Sequence, residues 1–211
     1  MSDAHEPVVP AADCGLCPRL KKFREANFTA YPNFHNAPVD AFGPLSASLL
    51  IVGLAPGLKG ANRTGRPFTG DYAGDLLYPT LVKYRLAKGQ YEREPTDGVL
   101  LSGCRITNAV RCVPPQNKVT AAEETACRPF LVEEISAMKN LKVILALGVV
   151  SHGAILVALG EKKSSFKFAH AAQHELGNGL ILANSYHCSR YNTNTGRLTE
   201  AMFHEVFEKL P

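Results

Sequence analysis

Four short apolar runs recur along the chain: Leu49 to Leu54, Cys104 to Val110, Val143 to Leu147 and Leu180 to Asn184. Each is bounded by glycine or polar residues, the pattern of strands in a parallel sheet that is covered on both faces. The intervals between them carry helical signals. Asp75 to Ala87 is apolar at Leu76, Leu77, Leu81 and Val82, while Ala121 to Met138 follows Thr120 with Glu123 placed to close a capping box. Ser151 to Leu159 and Thr199 to Leu210 are further helical candidates. Alternating strand and helix predicts one α/β domain over residues 1–211, a three-layer α/β/α sandwich around a four-stranded parallel sheet, with residues 1–13 as a flexible N-terminus.

Ligands of such sheets bind beyond the carboxyl ends of the strands. Here those ends carry Gly53 to Asp71, Asn108 to Asn117, Gly148, and Ser185 to Asn194. The first of these is rich in glycine, yet Lys59 is followed by Gly60, so the phosphate-binding Lys-Ser/Thr pair of a Walker loop is missing. Gly53 to Gly60 also lacks the Gly-x-Gly-x-x-Gly of a dinucleotide site. A loop this long inside a compact domain is usually functional or disordered. Phe68 and Asp71 within it suit a planar ligand with chemistry beside it, although Phe68 alone also fits core packing and Asp71 alone a helix N-cap.

Composition narrows the class. With 211 residues, 45% hydrophobic and 20% charged, the chain is an ordinary globular sequence of one-domain size. No run reaches the roughly 20 apolar residues of a membrane span, and Met1 to Asp13 has no apolar core of a signal peptide, which leads us to expect a cytoplasmic protein. The net charge of +4 is compatible with a polyanionic partner. Basic residues bunch at Arg19, Lys21, Lys22 and Arg24 and again at Lys59, Arg63 and Arg66, where the plain alternative is solvated surface.

The six cysteines point to metal, redox or core use rather than disulfides in such a compartment. Cys14 and Cys17 form a C-x2-C pair, and Cys112 and Cys127 supply two more thiols; four thiolates suit an iron-sulfur cluster or tetrahedral zinc, and the ligand types alone do not separate them. Cys104, at a strand start, reads as a buried free thiol, and Cys188 reads equally well either way.

Four stretches together resemble family 5, or type B, uracil-DNA glycosylases: Gly53-Leu-Ala-Pro-Gly57, Asn62 to Asp71, Thr107 to Lys118, and His187 to Arg197. The similarity runs from Cys14 to about Leu198, with the motifs in the family's order. It implies the uracil-DNA glycosylase fold and a [4Fe-4S] cluster on Cys14, Cys17, Cys112 and Cys127, deciding for iron where spacing had not. It further implies hydrolysis of the N-glycosidic bond of uracil in DNA, with breadth toward other deaminated bases such as hypoxanthine and hydroxymethyluracil, by a monomer whose partner is damaged DNA. The chain departs from the family pattern at Lys59, where His is expected, and at Cys188, where Pro is common between His and Ser.

That chemistry selects residue types. The sugar becomes oxocarbenium-like, a water must reach C1′, and the base leaves with negative charge. Asp71 suits the water-orienting carboxylate, and His187 suits the donor to the leaving oxyanion. Asn108 can read a base edge or hold the water with its amide. By the same resemblance Phe68 stacks on the flipped base, Asn117 contacts base or backbone, and Gly53 and Ala55 bring the first motif against the substrate. Arg190 and Tyr191 would wedge the vacated helix position, and Ser189 and Arg197 would hold phosphate. A binding protein with an iron-sulfur cluster that recognises damaged DNA without catalysis is the alternative reading of the same motifs.

Overall fold

The computed structural model describes residues 6–211. Residues 1–5 of the expected flexible segment lie outside the described residues; residues 6–13 form no helix or strand, but Pro10 is buried beside the cysteine-bearing loops. Helix α1 (Pro18–Ala30) opens with proline at its first turn, where a missing N–H is harmless. The hydrophobic pattern did not predict it, because the face it buries is Leu20, Arg24 and Asn27, two of them polar.

The chain then enters β1 (Leu49–Gly53), crosses the glycine-rich loop with its short helix α2 (Ala61–Thr64), and continues into α3 (Tyr72–Lys83). A two-stranded ribbon follows, β2 (Ala87–Lys88) and β3 (Leu100–Leu101), with residues 89–99 between its strands. Next come β4 (Cys104–Asn108), α4 (Ala121–Ala137), β5 (Val143–Leu147), α5 (Val149–Ala158), β6 (Gln173–Glu175) and β7 (Ile181–Ser185). The short α6 (Arg190–Asn194) and α7 (Glu200–Glu208) close the chain. The Thr120–Glu123 capping box forms, with Glu123 N–H donating to the Thr120 hydroxyl at 3.4 Å and Thr120 N–H to the Glu123 carboxylate at 2.8 Å.

The main sheet has the order β4-β1-β5-β7-β6. Its four predicted strands are parallel, and β6 adds a fifth, antiparallel to β7 at the edge. This corrects the four-stranded expectation: β6 is three residues long and largely polar, so it carries no apolar run to read. Helix α3 likewise starts at Tyr72 rather than Asp75, since Asp71 caps it.

Alternation along the strands divides the interior into two layers. Leu49 and Ile51 of β1 and Val143, Leu145 and Leu147 of β5 pack with Leu77 and Leu81 of α3 and Phe203 and Val206 of α7. Leu50, Val52, Ile144 and Ala146 point the other way, onto Leu131 of α4 and Ile155 and Leu156 of α5. Burial on both faces is what lets these strands read as unbroken apolar runs. A third, smaller cluster joins Leu20 of α1 to Val110, Cys112 and Cys127, with Ala55 packed against it.

Candidate active site

The carboxyl ends of β1, β4 and β7 and the start of α3 surround a cavity of about 350 Å³. Its walls include Leu54, Ala55, Pro56, Phe68, Asp71, Tyr72, Asn108, Asn117, His187, Ser189 and Arg190. Three residues with suitable chemistry therefore arrive from three separate segments, Asp71 from the glycine-rich loop, Asn108 from the end of β4 and His187 from the loop after β7. Asn108 is the last residue of β4 and pairs in register with Gly53 at the end of β1. The pairing continues past the strands, with Ala109 N–H donating to Gly53 O and Val110 N–H to Leu54 O, both at 2.9 Å, so the Asn108 side chain is held at a defined height.

The glycines of the first motif make room for the protein's own side chains. A Cβ on Gly53 would overlap both the Asn108 Oδ1 and the Phe68 ring, and a Cβ on Gly60 would overlap the Asp71 carboxylate. A Cβ on Gly57 would come within 3.0 Å of Asp71 Oδ2. The bare backbone thus lets Phe68, Asn108 and Asp71 lie flush against the loop, where all three line the cavity.

Asp71 is also the N-cap of α3, its Oδ1 accepting from Ala73 N–H at 3.1 Å. The cap reading and the cavity reading of Asp71 are thus both true geometrically. Burial pushes its carboxyl above the ordinary range, opposed by the N–H groups of Ala73 and Gly74, which favour the charged form. His187 is pushed the other way: burial lowers its imidazole to about 4. At neutral pH the imidazole in the cavity is therefore neutral. The rings of Phe68 and His187 lie 5.9 Å apart between centroids and 28° from parallel.

The remaining predicted residues separate into two groups. Ala55, Asn117, Ser189 and Arg190 line the cavity; Ser189 also caps α6, and the Arg190 guanidinium lies 5.4 Å over the Tyr72 ring. Tyr191 is 72% exposed and outside the cavity wall. Arg197 stacks on Tyr186 at 4.8 Å and lines a neighbouring hollow that shares Leu54 and His187 with the first. Tyr72, Pro56 and Pro114 line the cavity without having been singled out. Tyr72 could have been found, since the residue after an N-cap at a strand end faces the same crevice.

Of the bunched basic residues Arg66 is drawn inside, pairing with buried Asp97 at 2.7 Å, whereas Arg63 pairs with Glu94 at 2.8 Å on the surface and Arg19 meets Glu123 at 2.7 Å while partly exposed. Asp75, the neighbouring carboxylate of α3, pairs with Arg93 and does not line the cavity.

The thiols of Cys14, Cys17, Cys112 and Cys127 line one small hollow with Leu20, Arg24, Arg111 and Phe130. Arg24 Nη1 donates to Cys112 Sγ at 3.0 Å, and the Arg111 N–H donates to Cys127 Sγ at 3.3 Å. Burial raises the thiols of Cys17 and Cys112, and pushes Cys127 up to about 11, with the neighbouring cysteines adding to each. The Arg111 side chain is almost fully buried; its Nη2 meets Glu134, but Nε and Nη1 have no protein partner. Among the described residues, no group of three or more His, Cys, Asp or Glu side chains converges on a point where one metal ion could sit. Cys104 and Cys188 are both fully buried in the layer that contains α3 and α7.

A parallel α/β sandwich whose strand ends gather a carboxylate, an amide and a neutral imidazole in one cavity defines a protein that acts on a small planar group there. The family model described as the uracil DNA glycosylase superfamily matches residues 40–211, and the chain belongs to that superfamily. It is 44% identical over 199 residues to a type-5 uracil-DNA glycosylase of Thermus thermophilus, an alignment covering 92% of this chain and 90% of the relative. It is 38% identical to a type-5 uracil-DNA glycosylase of Mycobacterium bovis (93% and 76% covered) and 36% identical to one of Pyrobaculum aerophilum (93% and 87%). Among the described residues, no helix is long and apolar enough to cross a membrane.

Proposed function

We propose that this protein is a monofunctional uracil-DNA glycosylase of DNA repair, and that the cavity holding Asp71, Asn108 and His187 is where the base is released. The convergence of these three side chains on one cavity carries the reading. The target nucleotide swings out of the duplex, at an unstacking cost of a few kcal/mol that is least at a mispair. Phe68 offers the aromatic face on which the base stacks. As the C1′–N bond breaks, its electron pair departs with the base, and His187, neutral because burial holds its imidazole near 4, donates an N–H to the developing oxyanion. The Asp71 carboxylate orients the water whose oxygen bonds to C1′ and offsets the positive charge on the sugar. The Asn108 amide reads the base edge or holds that water. The water's proton passes to the Asp71 carboxylate and from there to solvent, while the released base anion takes a proton from solvent, which leaves the abasic sugar and the free base. Arg190 at the cavity mouth and Tyr191, exposed beside it, fit the wedge role; Ser189 and Arg197 fit phosphate contacts, and Asn117 a contact to base or backbone. The small Ala55 in the cavity wall is compatible with acceptance of deaminated bases other than uracil, which we include in the proposal.

We assign a [4Fe-4S] cluster to Cys14, Cys17, Cys112 and Cys127. Four thiols spread around a hollow suit a cluster in which each binds a different iron. Four thiols alone would also suit tetrahedral zinc, and the choice of iron rests on the likeness to family 5. Arg24 and the partnerless N–H groups of Arg111 supply the positive charge and donors that such a thiolate group needs. Held there, such a group would join the N-terminal loop and the start of α1 to the loop after β4 and to α4, next to Ala55 in the cavity wall.

The test is incubation of purified protein with a uracil-containing duplex followed by alkali. Strand scission at uracil, and none in the thymine control, is expected; repeating it with hypoxanthine and hydroxymethyluracil sets the base range.

A further inference from the structure

The loop that presents Phe68 and Asp71 is held at every residue from Arg66 to Gly70. The Tyr78 hydroxyl donates to Pro67 O at 2.6 Å, and Arg66 Nε donates to the Thr69 hydroxyl at 2.7 Å. Arg66 in turn makes a two-pronged pair with Asp97, at 2.8 and 2.7 Å, and sits over the rings of Phe42 and Tyr78. The remaining two backbone groups, Phe68 O and Gly70 N–H, meet one side chain. Tyr91 Oη donates to Phe68 O at 3.2 Å and accepts from Gly70 N–H at 3.1 Å. It therefore spans Thr69 like a staple, and its ring is stacked on Tyr78 with centroids 4.6 Å apart.

Two observations show that this staple constrains the cavity wall. Phe68 has φ +54, a left-handed conformation that a residue with a side chain rarely adopts and that persists only where its surroundings enforce it. Gly74, in the first turn of α3 behind Asp71, has no space for a Cβ, which would overlap Phe68 O and Tyr91 Oη. The loop, the Tyr91 hydroxyl and the cap of α3 are thus one packed unit. Tyr91 and Asp97 both belong to residues 89–99, the connection between β2 and β3, as do Glu94 and Arg93, which pair with Arg63 and Asp75.

We infer that the β2–β3 connection is a strap across the glycine-rich loop, and that Tyr91 is a positioning residue that fixes the Phe68 ring and the Asp71 carboxylate for base release through its two hydrogen bonds. The inference rests on the glycosylase reading for its effect on rate, but not for its effect on the loop. Displacement of a reacting group by about 1 Å reduces rates by up to about 100-fold. Tyr91→Phe keeps the ring and its stack on Tyr78 while removing both bonds.

Single-turnover uracil release by Tyr91→Phe should be slower by roughly 10- to 100-fold, with DNA affinity within about threefold of the parent and faster hydrogen exchange at the Gly70 amide. Gly74→Ala, which pushes on the same hydroxyl from the helix side, should reproduce the rate loss. Tyr84→Phe, which loses only an exposed bond to Glu208, is the control and should react like the parent. An unchanged release rate in Tyr91→Phe, with Gly70 exchange also unchanged, overturns the inference. If the parent itself releases no base, the glycosylase reading falls, and Gly70 exchange in Tyr91→Phe still decides whether the staple holds the loop.

Discussion

Asp71→Asn separates the two things Asp71 does in this structure. As the N-cap of α3, Asp71 accepts one hydrogen bond from Ala73 N–H, and asparagine caps a helix about as well. Asparagine also removes a charge that burial disfavours, so the Tm at neutral pH should equal or exceed the parent's. Catalysis should respond in the opposite direction. A carboxylate about 4 Å from the developing sugar charge, at an effective dielectric of about 20, contributes about 4 kcal/mol, or about a thousandfold in rate. Single-turnover uracil release should fall within the range of about 10²- to 10⁴-fold typical of a positioned acid or base. The acid limb of the pH profile separates the two groups. Asp71 must be ionised to act, and burial raises its pKa, so parent activity should fall with acid at a pH above the ordinary carboxylate range. His187 must be neutral, and with its imidazole near 4 its own loss of function lies lower. The residual activity of Asp71→Asn should therefore lose the upper acid limb and retain one near pH 4. A variant that cleaves at the parent rate refutes the reasoning and leaves Asp71 as a cap alone.

Two further outcomes follow from the packing. Gly53→Ala places a methyl where Asn108 Oδ1 and the Phe68 ring lie, so base release should drop at least about tenfold with secondary structure by circular dichroism retained. Protein purified without oxygen should be brown and carry about four irons per chain; Cys112→Ser should lose the colour and lower the Tm, whereas stoichiometric zinc without iron would remove the cluster assignment.

The parts of this molecule that could be read in the sequence are those where a single physical requirement sets the residue. Strands buried on both faces must be apolar throughout, which is why β1, β4, β5 and β7 were legible to within a residue or two. Edge strand β6 is largely polar, and α1 buries Arg24 and Asn27 toward the thiols and the loops, so neither shows the period of an element packed on an apolar core. Asp71, Asn108 and His187 were found because they sit at strand ends or in motifs. Tyr91 was not, since it comes from a connection between two-residue strands and acts only through backbone atoms of another loop. The glycines stand out in the sequence, but which side chains they make room for does not, since the approach of Phe68 and Asn108 to Gly53 exists only after folding. The burial of Arg66 was not legible for the same reason, because its partner Asp97 is about 30 residues further along the chain.

The central claim is that the cavity at the strand ends hydrolyses the bond between uracil and deoxyribose. Quantifying free uracil and abasic sites from one uracil-containing duplex, with the strand examined before alkali and after borohydride, tests it most directly. The account predicts one free uracil per abasic site, a strand intact until alkali, and no protein trapped on DNA by borohydride. Tight binding to the uracil duplex with no uracil released would contradict it and leave a protein that recognises the lesion without removing it.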